Sequence, residues 1–89
     1  MDTKTILLSL SLDLKRITEA IQKKSTAADV FNREASGWLN QAMKLNDDKL
    51  EVLLEKISIT LKSENSAEKA EDCLMYSVLI QNRALQMTK

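Results

Sequence analysis

The chain has 89 residues, with 13 Lys+Arg against 13 Asp+Glu and a formal charge of zero, which gives no electrostatic pull toward nucleic acid or anionic lipid. Histidine is absent and Cys73 is the lone cysteine, so the commonest general base and metal ligand, an intramolecular disulfide and a cysteine-based zinc cluster are all excluded. With Gly37 the only glycine and no proline, the turns that an all-β or α/β chain needs are scarce, and 89 residues leave room for a single all-helical domain.

The first element is predicted over residues 3–24. Within it, Leu8 to Leu14 alternates apolar and polar residues like a strand, but the alternation fails at Lys15-Arg16. The helical seam does not fail: Leu7, Leu10, Leu14, Ile17 and Ile21 recur at spacings of three and four. On a helix turning about 100° per residue, Leu8 and Leu12 then fall on another side and form a second, smaller apolar patch.

The second helix is predicted over 27–45, capped by Ser25 or Thr26. Its seam is Ala28, Phe31, Ala35, Trp38, Ala42 and Leu45, widened by Leu39 and Met43. Gly37 lies in the polar face and costs about 1 kcal/mol relative to Ala. The apolar phase continues across it, so one helix is expected rather than a break at Ser36-Gly37. A third helix over 47–62 starts at the capping residues Asn46 and Asp47. It carries Leu50, Leu53, Leu54, Ile57 and Leu61 on one face and Val52 and Ile59 on the reverse.

Ser63 to Ser66 reads as a loop, with Asn65 and Glu68 spaced as a capping box. The fourth helix is predicted over 66–88, with Ala67, Ala70, Leu74, Val78 and Leu85 on its main face. Residues 73–80, CLMYSVLI, are apolar nearly all the way round, which places this helix most centrally, enclosed by neighbours. Acidic residues gather near the predicted helix starts and basic ones, including Lys62, Arg83 and Lys89, near the ends, the polarity the helix dipole favours.

Four helices with short connections predict a compact antiparallel bundle. Such a bundle needs one apolar stripe per helix, and helices 1, 3 and 4 carry more. Leu8, Leu12, Val52 and Ile59, with some of Met75, Tyr76 and Leu79, are left over. They are the candidate interface for a second copy, as a homodimer, or for a dedicated protein partner.

No catalytic, cofactor or metal site is predicted. Glu51 and Glu55 share one helix face without a converging partner. Asn46-Asp47-Asp48 lacks the glycine and distal glutamate of a calcium loop and reads as a cap. Cys73 has no histidine to act as base and is assigned to the core. The Asp-Ser-Leu attachment site that acyl carriers need is missing. Lys15, Arg16, Lys23 and Lys24 form the densest basic stretch and the alternative, a nucleic-acid-binding surface on helix 1. Glu19 lies four residues from both Lys15 and Lys23 and favours a solvated, paired face instead. No run approaches the roughly 18 apolar residues of a membrane span, and no signal-peptide pattern opens the chain. The expectation is a non-enzymatic, cytoplasmic interaction module.

Overall fold

The computed structural model describes residues 2–87, and among them the regular structure is four α-helices. These are α1 (Thr3–Gln22), α2 (Ala27–Met43), α3 (Asp48–Leu61) and α4 (Ala67–Gln86). The predicted end of the fourth helix at 88, and Lys89 beyond it, lie outside the described residues. Alternation in Leu8–Leu14 does not make a strand: the whole stretch is inside α1. α2 runs unbroken through Gly37, where an added Cβ would meet nothing within 4 Å.

Each helix start is fixed by a nearby oxygen. Thr5 N–H donates to Asp2 Oδ1 at 2.7 Å, Ala27 N–H to Ser25 Oγ at 3.1 Å and Lys49 N–H to Asp47 Oδ1 at 2.9 Å. α4 departs from the predicted capping box. Its cap is Ser66, whose Oγ accepts from Lys69 N–H at 3.1 Å, while Asn65 Nδ2 donates to Asp29 Oδ1 at the start of α2. The shift by one residue puts Lys69 in the first turn. There its ammonium reaches back to the carbonyls of Leu61 (3.2 Å) and Ser63 (3.0 Å), closing the end of α3. α1 ends in a Schellman turn: Ser25 N–H donates to Ala20 O and Lys24 N–H to Ile21 O, with Lys24 in the left-handed region at φ 55°.

The helices form a ring in which α1 packs on α2 and α4, and α3 on the same two. α1 and α4 are the closest pair, so the expected centrality of the fourth helix is shared with the first. Neighbours are antiparallel: Ser11 reaches Ser77 and, seven residues later, Thr18 reaches back to Ala70. The reason for the closeness is side-chain size. α4 turns Ala70, Cys73, Ser77 and Ala84 inward, and α2 turns Ala28, Ala35 and Ala42 inward, each carrying small residues at seven-residue spacing. Between them lie the large side chains of α1: Leu7, Leu10, Leu14 and Ile17, all fully buried. Small residues facing large ones fill the space at interior density. They also let Ser11 and Thr18 donate to α4 carbonyls, both at 2.7 Å, so neither buried hydroxyl is left unpaired.

The same seam overturns the predicted main face of the fourth helix. Ala70 is inside, but Leu74, Val78 and Leu85 point outward, and Cys73, Ser77, Ile80 and Ala84 are buried instead. The rest of CLMYSVLI is likewise not enclosed, because Met75 and Leu79 are exposed.

Candidate interaction surface

The outward side of α4 is the most apolar exposed element of the chain. Leu74, Met75, Val78, Leu79 and Leu85 are each 43–52% exposed. At about 100° per residue they fall on one side of the helix, opposite the buried row of Cys73, Ser77, Ile80 and Ala84. From Cys73 to Asn82 the helix carries no charged residue. A solvated helical face is ordinarily polar. This one holds five large apolar side chains over about 17 Å of axis, at about 1.5 Å per residue. Scattered exposed leucines are ordinary, whereas five large apolar side chains on one side of a helix form a continuous apolar face.

The predicted interface residues divide between this face and other places. Met75 and Leu79 lie on it. Ile59, 71% exposed, lies in a groove between the end of α3 and the start of α4, shared with Glu68 and Asp72, and Val52 lies seven residues earlier on the same line of α3. Leu12 is exposed elsewhere, in the groove between α1 and α2 beside Trp38 and Gln41. Leu8 and Tyr76 are corrected: both are partly buried and pack against the core. Tyr76 is turned from the outer row by its position on the helix. Leu74, Val78 and Leu85 were missed because their three- and four-residue spacing reads as a core stripe. The signal that separates them is the heptad of small residues, Ala70, Ser77 and Ala84, matched by Ser11 and Thr18 on α1.

The α1–α2 groove contains the molecule's buried carboxylate. Asp13 is 3% exposed, and its carboxyl is held above the ordinary value of 3.8, first by burial and then by the Glu34 carboxylate. Arg16, 3.4 Å from Asp13, opposes the shift. The Arg16 guanidinium also lies 5.6 Å from the centroid of the Phe31 ring. The basic stretch is therefore not uniform: Lys15, Arg16, Lys23 and Lys24 are all exposed, but Arg16 is also engaged by an acid and a ring. Trp38 and Phe31 pack against the core and offer no stacking platform.

The remaining chemistry-bearing residues are dispersed. A cleft of about 230 Å³ at the α2–α3 turn is lined by Asp47, Asp48, Glu51 and Glu55 together with apolar Ala42, Met43 and Leu54. Among the described residues no group of three or more potential ligands is arranged to hold a metal ion. Cys73 is fully buried, and burial pushes its thiol up to about 11, so at neutral pH it is a protonated core side chain. No helix among the described residues is long and apolar enough to cross a membrane. The chain matches no protein-family model, no curated protein and no solved structure.

Proposed function

We propose that this chain is a non-enzymatic protein–protein interaction module, a small adaptor, regulator or chaperone-like subunit, acting through its apolar helical surface. Its first partner is a second copy of itself; a dedicated protein partner is the alternative occupant. The observation that carries the reading is the outward row Leu74, Met75, Val78, Leu79 and Leu85 on α4. The balance of 13 basic and 13 acidic residues supports it, since two copies do not repel one another at long range.

The magnitudes favour reversible association. Each of the five side chains is about half exposed. Completing their burial contributes roughly half of the 1.5–3 kcal/mol for a full side chain, or about 4–8 kcal/mol per partner. Lost rotational and translational freedom costs about 4–15 kcal/mol. The two partners together gain about 8–15 kcal/mol, so the surplus is about 2 kcal/mol at the midpoints and about 11 kcal/mol at most, the range of weak to moderate, reversible association.

The test is solution mass by light scattering on the unmodified chain and on the double variant Val78→Glu with Leu79→Glu. The reading expects assembly of the former and single-copy mass with unchanged helicity for the latter. Equal masses for both chains contradict it. Titration with mixed-sequence DNA tests the other class, for which binding would weaken steeply with salt.

A further inference from the structure

We infer that a second copy of this chain covers the outer face of α4 by packing α4 against α4 in antiparallel fashion, about a two-fold axis between Val78 and Leu79. The inference rests on the interaction-module reading and names the partner and its orientation.

Charge decides the orientation. The first turns of α4 carry Glu68, Glu71 and Asp72, the middle is uncharged from Cys73 to Asn82, and the basic residue Arg83 follows. Parallel pairing would set Glu71 against Glu71 and align the two helix dipoles unfavourably. Antiparallel pairing opposes the two helix dipoles and brings the acidic end of each copy toward the end of the other that carries Arg83. With the axis between Val78 and Leu79, Met75 of one copy is opposite Asn82 of the other and Glu71 is opposite Gln86. Arg83 then falls opposite Leu74, within one turn of Glu71 on the other copy.

The row is also self-complementary. Glu71, Met75, Val78, Asn82 and Leu85 follow one line along α4 at alternating spacings of four and three, the period of an antiparallel helix seam. An isologous contact needs one patch that fits itself, and in this register Val78 of each copy lies opposite Leu79 of the other at the centre, with Glu71 and Gln86 opposite one another toward the ends. A single helix pair buries less than the roughly 800 Å² per partner of a standard stable interface. The dimer is therefore concentration-dependent.

Cysteine cross-linking tests the arrangement in a Cys73→Ala background, with helicity checked by circular dichroism and the wild-type mass measured by light scattering as a reference independent of any substitution. Mild oxidation of a mixture of Met75→Cys and Asn82→Cys chains should give the mixed disulfide, at least several-fold more than Met75→Cys gives with itself. Self-linking of Met75→Cys equal to or above the mixed product overturns the antiparallel arrangement and leaves the interaction reading standing. A wild-type dimer whose variants form no mixed disulfide overturns the α4 seam in favour of another surface. A wild-type chain of single-copy mass at every concentration overturns both.

Discussion

Lys69 closes the turn between α3 and α4, and its burial makes the closure expensive to lose. Its ammonium is the donor for the Leu61 and Ser63 carbonyls at the end of α3. Burial lowers its pKa below the ordinary 10.5, a shift that the nearby Asp29 carboxylate opposes. Lys69→Met keeps the apolar stem and removes the donor. It is expected to destabilise by about 1–3 kcal/mol, the cost of stranding buried acceptors, as read from urea denaturation. Asp13 provides a pH-dependent prediction. Its folded-state pKa is raised, so its contribution is fullest below the ordinary value of 3.8 and is lost as pH rises through the raised value. Asp13→Asn stays neutral and loses nothing over that window. The variant should gain on the wild type as pH rises from acid to neutral, reaching a difference within the roughly 0.5–3 kcal/mol usual for single substitutions. Denaturation midpoints in which the two chains keep a constant separation from pH 3 to pH 7 would count against a raised Asp13.

At the scale of the helices, α2 holds its one glycine in open space on a helical backbone. Gly37→Ala should therefore stabilise the chain by about 0.5–1 kcal/mol, through the lower entropy of the unfolded chain, and raise the thermal midpoint. The α1–α4 seam predicts the opposite for enlargement. Ser77→Leu must fit a large side chain where Ser11 donates to the Ser77 carbonyl, and should cost about 1–3 kcal/mol by overpacking. These two positions also mark what the sequence made legible. All four helices, the continuity of α2 through Gly37 and the alternate face of α3 follow from three-and-four spacing alone. The face of α4 does not, because Leu74, Val78 and Leu85 have the same periodicity as a core stripe. What decides between them is that α4 must approach the leucine ridge of α1, and only the Ala70–Ser77–Ala84 side is small enough. That is a relation between two helices, invisible in the pattern of either. The cap of α4 moved from Asn65 to Ser66 for a similar reason: Lys69 and Asp29, from different parts of the chain, each claim a partner there.

For the whole molecule, the ring of helices sorts side chains by size. The large residues of α1 are enclosed by the small faces of α2 and α4, and of the large apolar residues of α4 Ile80 is buried while Leu74, Met75, Val78, Leu79 and Leu85 are turned to the surface. The predicted surplus of apolar helical surface corresponds to Leu12, Val52, Ile59, Met75 and Leu79 but not to Leu8 or Tyr76, which the core takes up. The candidate surface is accordingly centred on α4, with Ile59 in the groove at the α3–α4 turn and Leu12 in a separate groove. The most direct test of this account is the mass of the unmodified chain by light scattering across a concentration series reaching the millimolar range. The account predicts a rise from the single-copy 10.1 kDa toward twice that mass, abolished by Val78→Glu with Leu79→Glu. A constant 10.1 kDa over the whole series would contradict it.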